Sequence, residues 1–177
     1  RYMKLSVDAI MAIAFAIALG IVSVSRLFAP IFWGEDFAPC AYILSALALS
    51  IPFSGFANVI RMQYLIPNGM DGAYILSVIL GAVSNLTANS LLIPRCGALG
   101  AAVGTVIAEG VVCAAQCLAV KKRIDILAYL KSTAFFGMAG LLMYGAVQVL
   151  DQRAEITVSW LLLEIVVGGS VSCILSV

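Results

Sequence analysis

The sequence predicts an all-α membrane protein with six transmembrane helices, and three observations carry that prediction. Of the 177 residues, 63% are hydrophobic and 11% charged, whereas a soluble domain is roughly half apolar and a quarter charged. Mean hydropathy is +1.12. Several apolar runs reach the roughly 20 residues needed to cross a 30 Å hydrocarbon layer. Turn residues and charges punctuate those runs, whereas a membrane β-barrel would show alternating segments of about ten residues.

The predicted spans, taken in order, are 7–29, 39–64, 73–93, 97–120, 128–150 and 156–177. Gly34-Glu35-Asp36 separates the first two, and Pro67-Asn68-Gly69 the second and third. In the second, Pro52 removes a backbone donor and is expected to kink the helix, with Gly55 adding room. Pro94 and Gly97 reverse the chain between the third and fourth. After that reversal Gly97, Gly100, Gly104 and Ala108 recur at helical spacing, a face that lets a neighbouring backbone approach closely. Charged segments at 121–125 and 151–155 bound the fifth span. No positively charged segment with a short apolar run and cleavage site precedes the first span, so no cleavable signal peptide is expected. Residue 1 is arginine and Val177 lies within an apolar run, which suggests a segment of something longer.

Orientation follows from the lysines and arginines, which favour the cytoplasmic side. Arg1 and Lys4 precede the first span, Lys121-Lys122-Arg123 follow the fourth, and an even number of spans lies between. Both clusters, and both termini, are therefore expected in the cytoplasm. Glu35, Asp36, the Pro94–Gly97 reversal and segment 151–155 fall outside, with Arg95 and Arg153 as minor exceptions. Trp33 and Trp160 fall near the outer interface, where indoles prefer to sit.

Other function classes lose their chemistry. Net charge is +1 with dispersed basic residues, which excludes a nucleic-acid surface. The chain has no histidine, and its five cysteines form no C-x-x-C pair. Zinc sites and Ser–His or Cys–His nucleophiles thus lack their usual members. Neither a metal nor a catalytic residue nor a cofactor is expected, and no G-x-x-x-x-G-K-[ST] loop signals nucleotide hydrolysis. Cys113 and Cys117 share a helix face and read as small apolar fillers.

Polar groups inside the spans are the candidate site. Ser50, Ser54, Asn58 and Arg61 form a stripe on the second span, running towards its cytoplasmic end. Ser77, Gly81, Asn85 and Asn89 follow every fourth position on the third. Glu109 lies about a dozen residues into the fourth, near mid-depth, where an acid is expensive and marks a functional candidate. Each has a plainer reading beside the functional one. The amides can bond between helices, Arg61 can snorkel to the interface, and Glu109 can pair with Arg61 or cap a broken helix. Asp8, Arg26 and Lys131 read as interfacial, and Glu164 has no assignable partner. Together the stripes favour a hydrated conduit over a simple anchor.

The pattern Asn85-x-x-x-Asn89-x-x-Leu92-Ile93-Pro94-x-x-Gly97-Ala98-x-Gly100-Ala101-Ala102-x-x-Thr105-x-x-x-Glu109 resembles the C-terminal lobe of the oligosaccharide flippases. These are the O-antigen and polysaccharide transporters of the multidrug/oligosaccharidyl-lipid/polysaccharide exporter superfamily. Phe32-Trp33-Gly34-Glu35-Asp36-Phe37 is similar to the turn after the ninth helix of the same family, and Asn58-Val59-Ile60-x-x-Gln63-x-Leu65-Ile66-Pro67 to the end of its tenth helix. Cys96 and Arg61 depart from its pattern. The resemblance covers about residues 7–120 and is silent on substrate.

The resemblance implies a two-lobed fold of twelve to fourteen helices. Residues 1–122 would be the last four helices of the C-terminal lobe, and 123–177 two additional C-terminal helices. The implied activity is translocation of undecaprenyl-pyrophosphate-linked oligosaccharide across the bacterial inner membrane, for O-antigen, capsule or exopolysaccharide synthesis. Ser54, Asn58, Arg61, Asn85, Asn89 and Glu109 are the expected translocation-path residues. Expected partners are the lipid-linked oligosaccharide, membrane lipid, H+ or Na+ as coupling ion, and the missing N-terminal lobe. The alternatives are a multidrug/cation antiporter or peptidoglycan-precursor flippase, a membrane-embedded glycosyl-transfer enzyme, and a non-functional gene fragment.

Overall fold

The computed structural model describes residues 2–151. The described residues are helical apart from short connections, and contain no strand. Helix α1 is Tyr2–Trp33, α2 is Cys40–Ala48, α3 is Ser50–Ile60, α4 is Asp71–Val120 and α5 is Ile126–Asp151. A 3-10 turn, Glu35–Phe37, follows α1, and a π-helical turn, Arg61–Leu65, follows α3. The expected sixth span at 156–177, with Trp160 and Glu164, lies outside the described residues.

Three segments, Tyr2–Arg26, Cys40–Leu65 and Asp71–Val120, are long and apolar enough to cross a membrane. The last is 50 residues long and is not one rod. Gly97 has φ 56° and ψ −134°, a conformation that side chains with a Cβ rarely adopt, and there the helix folds back on itself. Arms 71–96 and 98–120 therefore form the antiparallel hairpin expected from Pro94 and Gly97. The chain is a multi-pass membrane protein.

The second predicted span is kinked next to Pro52, as expected: α2 gives way to α3 only at Leu49, which keeps helical angles of φ −66° and ψ −17°. Pro52 sits in the first turn of α3 and cannot donate to the carbonyl of Ala48. The Leu49 amide bonds Ala46 instead, at 3.1 Å, and the Ser50 hydroxyl donates to the Leu47 carbonyl at 2.7 Å.

Helix α1 is the hub. It packs against α2, α3 and α5, while α4 lies against α2 and α3. An alanine Cβ at Gly55 would lie 3.4 Å from Ile10 and 3.5 Å from Ala14, so this glycine does permit close approach of α3 to α1. Ser25 and Ser45 bond across α1 and α2 at 2.8 Å. Ser132 of α5 donates to the Asp8 carboxylate of α1, so half-buried Asp8, near the start of its helix, also bonds between helices.

Two contacts fix direction. Asp8 meets Ser132, and seven residues on Phe15 meets Gly137, so α1 and α5 run parallel. Val7, Met11, Phe56, Val59, Ile60, Leu65 and Val120 form one buried cluster at the end that carries Lys4 and residues 121–123. The 34–37 turn and the hairpin tip at Gly97 occupy the opposite end. The two basic clusters thus share a side of the membrane. Reporter fusions test which side it is: a fusion after Asp36 is expected to report the exterior and one after Arg123 the cytoplasm. The reverse pattern would invert the orientation.

Candidate functional site

The hairpin seam shows why small residues recur in the second arm of α4. A Cβ at Gly100 would lie 2.5 Å from the Leu92 carbonyl oxygen, and one at Gly104 would collide with the Asn89 side-chain oxygen and lie 3.6 Å from Ala88. At Gly81 it would collide with Val112 and lie 3.5 Å from the Ala108 carbonyl. Further along, buried Gln116 donates to the Ser77 hydroxyl at 3.1 Å, and Ser77 donates to the Tyr74 carbonyl at 2.6 Å. The register is constant from Gly100 to Gln116. Gly97 belongs to the turn and not to this face, since a Cβ there would meet nothing within 4 Å.

Asn89 and Asn85 are tied to one another. The Asn89 amide donates to the Asn85 side-chain oxygen at 2.8 Å, while its own oxygen is buried without a hydrogen-bond partner against the Cα of Gly104. Asn89 is therefore an element of the seam, where Cα–H groups approach a polar oxygen. Asn85 is half-buried beside it. Thr105, one residue past Gly104, donates to the Ala101 carbonyl at 3.1 Å.

The stripe on α3 has a different setting. Phe56, Ala57, Val59 and Ile60 are buried, whereas Ser54 and Asn58 are exposed. Arg61 begins the π-helical turn, and its Nη2 donates to the Asn58 side-chain oxygen at 2.6 Å. The guanidinium lies 5.4 Å from the centre of the Tyr74 ring, a cation–π distance. Arg61 thus folds onto protein on two sides, where a snorkelling side chain would extend away from it.

Glu109 is half-buried and has no hydrogen bond or ion pair among the described residues. Its neighbour Ala108 faces Gly81, whereas Arg61 rests on Tyr74, seven residues nearer the basic end. At about 1.5 Å per residue that is an axial offset of about 10 Å. The structure brings Arg61 together with Asn58 and Asn85 together with Asn89, and it leaves Arg61 and Glu109 apart. Cys113 and Cys117 pack on the buried cluster as fillers. Among the described residues no group of three acidic, cysteine or histidine side chains is placed to hold a metal.

The residue that sequence reasoning passed over is Gln116, 1% exposed, with Ser77 also at 1%. Its signal was available: it lies seven positions after Glu109 and so on the same helix face. Its Oε1 has no hydrogen-bond partner. Gln116→Leu removes that orphaned oxygen while Ser77 keeps its bond to Tyr74, so stability is expected within about 1 kcal/mol of the parent, or higher. Gln116→Ala opens a cavity and is expected to melt lower than Gln116→Leu. A melting series with leucine below alanine would refute this reading of the pair.

The folded arrangement defines a class, a helical multi-pass membrane protein built around a glycine-seamed hairpin and a kinked helix. Its fold is that of a solved transporter. The chain is similar to the lipid II flippase MurJ in an inward closed conformation, with TM-score 0.83 and 20% sequence identity. The match covers 98% of this chain and 37% of the flippase, so the chain spans about a third of that protein's length. No family model and no curated protein matches the sequence.

Proposed function

We propose that this chain is part of a flippase that carries an undecaprenyl-pyrophosphate-linked oligosaccharide from the cytoplasmic to the outer leaflet of a bacterial inner membrane. The product serves O-antigen, capsule or exopolysaccharide assembly. The supporting observation is the fold shared with a lipid II flippase over 98% of the chain, joined to an exposed polar stripe of Ser54, Asn58 and Arg61 on α3. A sugar and its diphosphate need hydroxyls, amides and positive charge along their route, while the polyprenyl tail stays in apolar surroundings. Asn85, Asn89 and Glu109 are proposed to border the same route deeper in the bundle.

In this reading residues 1–122 complete a transporter lobe and 123–177 are accessory helices. A first lobe supplies the opposite wall, and rocking between the two exposes the route to each side in turn. An H+ or Na+ gradient drives the cycle, with Glu109 as the proposed coupling residue. Both ends of the segment are cytoplasmic. The chain binds and conducts; it makes and breaks no covalent bond.

A second reading has its own support. The similar structure is named for lipid II, so a peptidoglycan precursor is a cargo of the same chemistry, a sugar on a carrier-lipid diphosphate. Complementation separates the two. The intact protein is expected to restore surface polysaccharide to a host lacking its O-antigen flippase. Rescue confined to a host depleted of its lipid II flippase would select the second cargo, and rescue of neither would refute both.

A further inference from the structure

At the basic end of the bundle, two arginines rest on one turn of chain. Arg61 stacks on Tyr74, and Arg123 Nη1 lies 3.6 Å from the Met70 sulfur. Met70 and Tyr74 are joined by the Tyr74 N–H donating to the Met70 carbonyl at 3.2 Å. Lys121 and Lys122 precede Arg123 and are exposed.

The guanidinium of Arg61 is held in place and only partly used. One Nη2 hydrogen goes to Asn58, and the buried Nε–H has no hydrogen-bond partner. Nη1 makes no hydrogen bond among the described residues and is accessible. The π-helical turn that starts at Arg61 closes with Ile66 N–H on the Arg61 carbonyl at 3.0 Å, a distortion frequent at functional sites. Two carboxylates lie nearby. Asp71 is exposed in the same turn, and Asp125 accepts from the Ala128 amide at 3.4 Å. Neither forms an ion pair with an arginine among the described residues. Four cations against two carboxylates leave this end positive.

We propose that Arg61 and Arg123 form a lipid-phosphate site on the Met70–Tyr74 turn, at the level where headgroups meet the bundle. A fixed guanidinium with unused, planar donors suits phosphate oxygens, and basic side chains clustered at one membrane face attract anionic headgroups. The phosphate comes from one of two lipids, the diphosphate of the carrier-linked cargo or an anionic bilayer phospholipid. The first source rests on the proposed function; the second does not.

The test is lipid binding by the intact protein in a non-ionic detergent, read as thermal shift against lipid concentration. The probes are undecaprenyl diphosphate and dioctanoyl phosphatidylglycerol, with dioctanoyl phosphatidylcholine as the zwitterionic control. Arg61→Gln and Arg123→Gln are each expected to weaken binding about tenfold, whereas Lys121→Gln weakens it less than about twofold. A loss confined to undecaprenyl diphosphate identifies the carrier, and a loss with phosphatidylglycerol identifies bilayer lipid. Wild-type affinity for both probes in both arginine variants would overturn the site. So would an equal loss in Lys121→Gln, which would mean diffuse charge. If Arg61→Gln does not fold, Arg123→Gln in the exposed turn decides alone. Because transport is not measured, an absent flippase activity and an absent phosphate site remain distinguishable.

Discussion

Gly100→Ala is expected to lower the stability of the intact protein more than alanine at Gly81, Gly104 or Gly110 in the arms of the hairpin. The added methyl would lie 2.5 Å from the Leu92 carbonyl oxygen and 3.0 Å from the Ile93 amide nitrogen, both backbone atoms. Neither can rotate away, so the two arms must separate. Overpacking of this kind costs about 1–3 kcal/mol. Gly104→Ala meets the Asn89 amide group, which can turn aside at the expense of its bond to Asn85, and is expected to cost less. Gly81→Ala meets the β-branched Val112 side chain, which is stiff in a helix, and should cost about as much as Gly104→Ala. Gly110→Ala has nothing within 4 Å and is expected to be neutral or stabilising, since alanine is the better helix former. Leucine at Gly104 exaggerates the trend. Thermal melting of the series tests the order, and a Gly100→Ala protein that melts with the parent would refute the seam.

The second large effect concerns transport. Glu109→Gln keeps the shape and hydrogen-bonding capacity of the side chain while deleting its titratable charge. Glu109 has no hydrogen bond or ion pair among the described residues, so the substitution breaks no such contact there and the protein is expected to accumulate and melt normally. If Glu109 takes part in coupling, cargo translocation falls about a hundredfold or more, the scale of a single essential proton-transfer group. Measured in one preparation, flipping rate and melting temperature separate the two roles. Loss of both would make Glu109 structural, and retention of both would remove it from the mechanism.

What was legible in the sequence was local chemistry. Pro94 and Gly97 mark a reversal because one blocks a helical hydrogen bond and the other accepts a backbone conformation closed to most residues. Gly100 and Gly104 mark a seam because lipid gives a helix few other reasons to bare its backbone. The Asn58 to Arg61 bond follows from spacing within one helical stretch. Contacts between distant segments were not legible. Asp8 pairs with Ser132 and Gln116 with Ser77 only because whole helices are placed side by side, and no residue near Asp8 or Gln116 encodes its partner. The approach of Tyr74 to Arg61 likewise depends on the turn that places α4 beside the end of α3. The kink at Leu49 was legible, since Pro52 lacks the amide that would have bonded Ala48; the alternative donors at Leu49 and Ser50 were not.

The central claim is that the intact protein moves a carrier-linked oligosaccharide across a bilayer. Its most direct test is reconstitution into sealed vesicles loaded on one side with an undecaprenyl-diphosphate-linked oligosaccharide. The measurement is the rate at which the sugar becomes accessible to a membrane-impermeant glycosidase on the other side. The account predicts a rate well above that of protein-free vesicles, reduced in vesicles carrying Glu109→Gln. A rate equal to that of protein-free vesicles, with the protein folded and inserted, would contradict it.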